Sequence, residues 1–376
     1  MKKRLLGIVV FVLAFIGAYS LMGQLDLFEP EYQVVRVEDS TFENKFYFGE
    51  LNEEEQLVYK ELYQGVMDHE STIIVHSMDG ERTGEIFQSV IYDFTQIFWC
   101  DGSAETLTYE ESHVELEPTY TYTVEERENM QEEIDASVNQ ILSQVPEGSS
   151  DYDKIKYVYE TLINTVDYVE DVPDNQNIYS VFGRKQTVCA GYAKANQYLL
   201  EQLGVYCIYV LGTAEDESHA WNIVRCNETL CCVDVTWGDP TYSEEEQIQS
   251  EDILYDYLCC SDKFLTATHK KDDEYEYPEC VSDEWEYYHL NQMFYESADR
   301  QVLLDAMYAS VNAKEETLIF KFADRAVYEQ AKQQLEGELL DKALTHLCKK
   351  YGLRSVECTY TEYEDLNRYI IYWQYQ

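Results

Sequence analysis

Three side chains in the middle of this chain have the types and spacing to do nucleophilic chemistry on a carbonyl group: Cys189, His219 and Asp234. A thiolate attacks the carbonyl carbon, an imidazole holds that thiolate as an ion pair and later protonates the leaving group, and a carboxylate fixes the imidazole's tautomer and orientation. Cys189 lies in QTVCAGYAKANQYLLEQLGV. Helical spacing there collects Tyr192, Ala193, Leu199, Leu200 and Leu203 on one side, and Gly204 is a natural stop. The cysteine therefore falls in a first helical turn, where unpaired N–H groups and the helix dipole favour an anion. Gly191 reads as an opening beside the sulfur, through which a substrate could approach.

His219 and Asp234 come from SHAWNIVRCNETLCCVDVTWGDP, Ser218 to Pro240. An ionised aspartate inside the strand-like run CCVDVTW is costly unless something pairs with it. YCIYVLG (206–212), HAWNIVRC (219–226) and TLCCVDVTW (229–237) read as strands, with Asn227-Glu228 as the tight turn between the last two. A two-residue turn sets Trp221 opposite Asp234 and makes His219 its diagonal neighbour on one face, within side-chain reach. On this reading the aspartate interrupts the strand in order to orient the histidine. His269, which follows a threonine in an acidic region, reads as a surface or core-edge residue.

Other elements must position this group. Helical patterns begin near Leu51, at GEIFQSVIYDF, at VEERENMQEEIDASVNQILSQV and at DYDKIKYVYETLINTVDYV, the last opened by Asp151 or Asp153 as cap. Near the end come a strand (TLIFKF), one long helix from Ala326 stopped by Gly352, and a tyrosine-rich hairpin. The pattern divides the chain into a targeting or anchoring segment (1–23), a linker (24–43), an N-terminal α+β module (44–123), the domain with the three reactive residues (124–297) and a C-terminal α/β module (298–376).

Composition narrows the function. With 73 acidic against 27 basic residues and a net charge of −46, the surface repels polyanions, which argues against nucleic acid or anionic lipid bound through a basic face. No EF-hand loop and no C-x-x-C occurs. The doublets Cys231-Cys232 and Cys259-Cys260 would point to opposite faces of a strand, so no metal is assigned and no cofactor is called for; a Ca²⁺ requirement is left open. Lys2, Lys3 and Arg4 precede an uncharged, mostly apolar run from Leu5 to Met22, which fits either a cleaved signal or an uncleaved anchor. Either way the main body is expected outside the cell, with membrane contact only through residues 5–22. If one of the eleven cysteines is a free nucleophile the other ten could pair, in a connectivity that spacing leaves open.

VCAGYA, HAWN and VDVTWGDP together resemble the transglutaminase-like superfamily, and NIYSVF, LLEQLGV, LTATHKK, YPECVSDEWEYY, DFTQIFWCDG and LEPTY extend the resemblance to bacterial exported members over roughly 85–295. The resemblance implies an α+β fold with a papain-like core, a catalytic helix packed on an antiparallel sheet, flanked by the smaller modules. It places catalysis on Cys189, His219 and Asp234, with Trp221 and Trp237 shaping the cleft. Family enzymes use an upstream indole to stabilise the oxyanion, but no tryptophan lies between Trp99 and Cys189. The Cys189 N–H is then the expected donor, with Tyr179 or Gln186 as a second. The implied function is acyl transfer on peptide or protein amides through a thioester, as transglutaminase, peptidase or amidase, with cell-envelope substrates in the exported reading. The alternative is a non-catalytic transglutaminase-like envelope scaffold or protein-binding module.

Overall fold

A computed structural model describes residues 30–109, 112–239 and 253–375. The segment read as signal or anchor lies outside them; among the described residues no helix is long and apolar enough to cross a membrane. Two compact units emerge. One comprises the described residues up to Ala136 with Asn177–Tyr179, the other Ser137–Gln176 with the described residues from Ser180 onward.

In the first unit, helix α1 (Glu53–Met67) opens on a capping box in which Asn52 accepts the Glu55 N–H and Glu55 reaches back to the Asn52 N–H. Such a box stabilises a helix by about 1 kcal/mol. Strand β1 (Ile73–Val75), helix α2 (Gly80–Asp93), strand β2 (Cys100–Tyr109) and strand β3 (His113–Tyr120) follow, the strands forming an antiparallel sheet in the order β1-β3-β2. Helix α3 (Val124–Leu142) contains the boundary between units, and its period-matched residues Met130, Ile134, Val138 and Ile141 are buried.

The second unit starts with helix α4 (Asp151–Thr165). Its cap is Ser150 rather than an aspartate. The Ser150 hydroxyl accepts the Asp153 N–H at 3.2 Å while the Asp153 carboxylate accepts the Ser150 N–H, so the acid expected as cap is the third residue of a capping box. A parallel pair, β4 (Asp167–Tyr168) and β5 (Gln186–Thr187), leads to helix α5 (Cys189–Gln202), which ends at Gly204 with φ +76°. Strands β6 (Cys207–Ala214), β7 (Glu217–Cys226), β8 (Thr229–Val233) and β9 (His269–Lys271) build an antiparallel sheet in the order β8-β7-β6-β9.

The register between β7 and β8 follows from the two-residue turn at Asn227-Glu228, with Cys226 opposite Thr229 and Asn222 opposite Val233. The strand is shorter than its apolar run suggests. After Val233 the chain turns into a single helical turn, Val235–Gly238, and Asp234 caps it by accepting the Trp237 N–H at 3.1 Å. An aspartate that can satisfy an unpaired N–H favours a helix start over another extended residue.

The C-terminal part of this unit has its own core. Strands β10 (Phe294–Tyr295), β11 (Thr317–Phe322), β12 (Cys358–Tyr363) and β13 (Arg368–Trp373) order as β10-β11-β13-β12. Helix α6 (Arg300–Ala313) precedes β11, and the long helix read after it is divided into α7 (Arg325–Gln334) and α8 (Leu340–Tyr351) by a wide π-type turn at Leu335–Leu339. The extra residue in a wide turn rephases the helix. Leu335, Leu339, Leu340, Ala343 and Leu347 thereby all reach the core.

Candidate active site

Cys189 is the first residue of α5. Val188, at the N-cap, has no polar side chain and makes no side-chain cap, so the helix start is shaped by backbone bonds: Val188 donates to the Asn175 carbonyl at 3.1 Å, and Val169 to the Thr187 carbonyl at 2.8 Å. One turn on, the buried Tyr192 hydroxyl lies 2.6 Å from the Val166 carbonyl and 2.9 Å from the Asp239 carboxylate. Two buried amides lock α5 to the sheet. Asn196 donates to Asn222 at 2.9 Å, and Asn222 donates to the Ala193 carbonyl of α5 at 3.0 Å and the Ile208 carbonyl of β6 at 3.2 Å. The sequence motifs do not single out Asn222, although a carboxamide inside an otherwise apolar strand signals a buried hydrogen bond, because such a group must be paired when buried.

Gly191 corrects an expectation. It is buried, and a Cβ there would lie 1.8 Å from the Thr187 hydroxyl, 2.9 Å from the Asn175 carbonyl and 3.1 Å from the Ser180 hydroxyl. The glycine lets α5 pack against the loop before it; it opens no path for substrate.

His219, on β7, and Asp234 are brought together, with Nε2 2.7 Å from Oδ2. The Cys189 thiol lies beside the same imidazole and adds to the raising of its pKa. With Nε2 committed to the carboxylate, Nδ1 is the ring nitrogen left for the thiol, so one imidazole stands between thiol and carboxylate. Burial alone would lower the His219 pKa, but the Asp234 charge and hydrogen bond, with the Cys189 contact, outweigh it and push it up to about 10. Burial likewise opposes the Asp234 charge, and the His219 and His269 imidazoles overcome it, holding the carboxyl well below its usual range. Cys189 is half-buried, whereas Asp234 is 1% and His219 6% exposed.

His269 is the residue sequence reasoning set aside wrongly. It is buried on β9, donates from Nε2 to the same Asp234 oxygen at 3.0 Å, and has the Thr268 hydroxyl 2.8 Å from Nδ1. The strand pairing of Ala214 with His269, thirty-five residues beyond Asp234, brings it there. Gly212, opposite both His219 and Lys271, permits the approach: a Cβ would lie 2.1 Å from the Lys270 carbonyl and 2.7 Å from the Trp221 ring. Trp221 is itself fully buried, stacked on His219 with centroids 5.9 Å apart and edge-on to His269 at 5.2 Å. It supports the imidazoles from within, not at a cleft wall as expected. Trp237 is half-buried, its ring 4.8 Å from His269 and 6.4 Å from His219.

The two side-chain candidates for the oxyanion fare differently. Tyr179 groups with the first unit, where its hydroxyl donates to Glu133 at 3.0 Å, so that proton is already engaged. Gln186 is half-buried on β5, three residues before the cysteine. Donor atoms of His219, Asp234 and His269 lie within 4.8 Å of one another, a set a divalent cation could use. The 2.7 and 3.0 Å separations are those of hydrogen bonds, shorter than the roughly 3.3 Å between two ligands of a tetrahedral ion.

Comparison with known proteins bears on residues around this group. The family pattern described as the transglutaminase-like superfamily matches residues 139–237. No curated protein matches the sequence. Among solved structures, a "TGase" is similar at 13% identity over 44% of this chain and 50% of its own, with a TM-score of 0.26. A protein of Cytophaga hutchinsonii, described as a candidate cysteine protease, is similar at 11% identity over 35% of this chain and 61% of its own, with a TM-score of 0.24. Menin, whose structure is described as revealing the binding site for the Mixed Lineage Leukemia protein, is similar at 14% identity over 61% of this chain and 56% of its own, with a TM-score of 0.26. The chain thus spans between half and about three fifths of the length of these structures. The mixed α+β chain described above carries, over residues 139–237, a domain of the transglutaminase-like superfamily.

Proposed function

We propose that the second unit is a thiol acyl-transfer centre acting on peptide or protein amides, with Cys189 as nucleophile, His219 as its ion-pair partner and proton donor, and Asp234 as the group that orients His219. The Cys189 sulfur forms a bond to the amide carbon, and the carbonyl electron pair moves onto oxygen. The helix-start N–H of Cys189 is placed to stabilise that oxyanion. Collapse expels the amine, which takes its proton from His219, and leaves a thioester. The neutral imidazole then takes a proton from water or an incoming amine as it attacks, and the thiolate is regenerated. Water makes the protein a peptidase or amidase; a lysine amine makes it a cross-linker. Export rests on Lys2, Lys3, Arg4 and the apolar run to Met22, and it points to peptides or proteins of the cell envelope as substrates.

The observation that carries this reading is that His219 hydrogen-bonds the Asp234 carboxylate at 2.7 Å with the Cys189 thiol beside the same imidazole. Packing alone needs no imidazole in that position. The test is the alkylation rate of Cys189 against pH, followed on the tryptic fragment Gln186–Lys194 so that the other ten cysteines do not contribute. Fast modification well below the ordinary thiol pKa of about 8.5, lost in His219→Ala, is the expected result. A thiol that reacts slowly and is indifferent to His219→Ala overturns the nucleophile assignment and leaves a transglutaminase-like binding scaffold.

A further inference from the structure

Six buried cysteines that the proposed chemistry does not use gather on the sheet beside Asp234. The doublets Cys231-Cys232 and Cys259-Cys260 face each other through an antiparallel bridge, in which Cys232 donates to the Cys260 carbonyl at 2.8 Å and Cys260 to the Cys232 carbonyl at 3.0 Å. The Cys232 thiol donates to the Asp262 carboxylate at 3.4 Å, and the Cys232 sulfur, that carboxylate and the Cys280 sulfur lie within 4.8 Å of one another. Cys260 directs its sulfur at the Cys232 carbonyl, 3.7 Å away. Cys280 is held in place by reciprocal bonds with Asp262: its N–H donates to the carboxylate at 2.7 Å, and the Asp262 N–H donates to its carbonyl at 2.8 Å.

We infer that Cys232 and Cys280 are a disulfide in waiting. A zinc ion is the competing use of the Cys232–Asp262–Cys280 set. The Lys271 ammonium argues against it, since it sits 2.8 Å from the Asp262 carboxylate and answers the negative charge a cation would need. The bond forms by exchange with a small-molecule disulfide such as oxidised glutathione. One cysteine thiolate attacks it and releases one thiol; the second cysteine then attacks the mixed disulfide and releases the other, so two protein thiols are oxidised as one disulfide is reduced. In the folded protein Cys232 and Cys280 are almost inaccessible, so reaction after folding is slow. Closure belongs to folding, when these thiols are exposed. The Cys232–Cys280 bond would staple β8, which ends just before Asp234, to the segment that follows β9, the strand of His269.

The experiment is refolding of the full chain with reduced and oxidised glutathione, followed by unreduced digestion with a protease that cuts after Asp and Glu. Such cleavage separates Cys226, the Cys231-Cys232 pair, the Cys259-Cys260 pair and Cys280. The expected result is a fragment linking Cys232 to Cys280, which Cys280→Ser is expected to lose. Recovery of Cys232 and Cys280 as alkylatable thiols, a link to Cys280 made through Cys260, or zinc retained by these thiols overturns the inference. Cys189 takes no part in this link, so the outcome is independent of the proposed catalytic role.

Discussion

Asp234 and Asp256 are two carboxylates of the second unit buried to the same degree, each 1% exposed and each facing two basic side chains. Asp256 accepts from the Lys321 ammonium at 2.6 Å, from the Tyr288 hydroxyl at 3.0 Å and from the Arg368 guanidinium, and it joins the segment after Leu254 to β11 and β13. Burial works against its charge, while Arg368 and Lys321 hold its carboxyl below the usual range. Asp234 reaches the same protonation state with two imidazoles. The partners make the difference. Lysine and arginine offer only N–H donors and can only neutralise, whereas an imidazole has a second ring nitrogen, and His219 has a thiol beside it. A buried ion network is therefore no sign of chemistry by itself; what sets Asp234 apart is an imidazole that also faces a thiol.

The comparison breaks most visibly on stability. Arg368→Met leaves Asp256 one partner short in a buried site and is expected to cost about 3–5 kcal/mol in denaturant unfolding, with the Cys189 alkylation rate of the folded fraction unchanged. His219→Ala is expected to act the other way round. Without the ion pair a thiol of pKa about 8.5 is only about 1% thiolate near pH ~6.5, so alkylation there falls roughly a hundredfold. Asp234→Asn keeps the shape and removes the charge, and a reduction of about tenfold at the same pH, smaller than for His219→Ala, is the outcome that fits an orienting role. His269→Ala removes a hydrogen bond to Asp234 and is expected to change the rate by about threefold or less, shifting the pH profile of alkylation in the direction of Asp234→Asn. An effect as large as that of His219→Ala would make His269 a direct partner of the thiol.

A titration sharpens the same contrast. The folded-state pKa of His219, about 10, lies above the ordinary 6.5 of an unfolded histidine. Its contribution to stability is thus fully present below pH 6.5 and is lost as pH rises through about 10. The unfolding midpoint is expected to fall across that window, and less steeply in His219→Gln. Asp256 contributes nothing there, since its depressed pKa places its loss on the acid side, below the ordinary 3.8.

Local signals carried much of this structure. The start of α5 at Cys189, its stop before Gly204 and the β7–β8 register all follow from patterns a few residues long, because helix ends and two-residue turns are decided by neighbouring residues. The same locality explains the misreadings near them. Ser150 and Asp153 exchange roles within one capping box, and the Asp234 cap competes with strand extension, both choices being small in energy.

What the sequence by itself determined is the identity and order of Cys189, His219 and Asp234 and the hairpin that sets the last two near each other. Tertiary structure alone decided that His269 completes the acid's surroundings, that Trp221 lies beneath the imidazoles, that Gly191 serves helix packing and that Cys232, Asp262 and Cys280 meet. Those contacts join residues far apart in the chain, across strand edges and between faces of one sheet. Pairing of that kind depends on how whole elements bury their apolar surfaces against one another, which no short stretch of residues encodes.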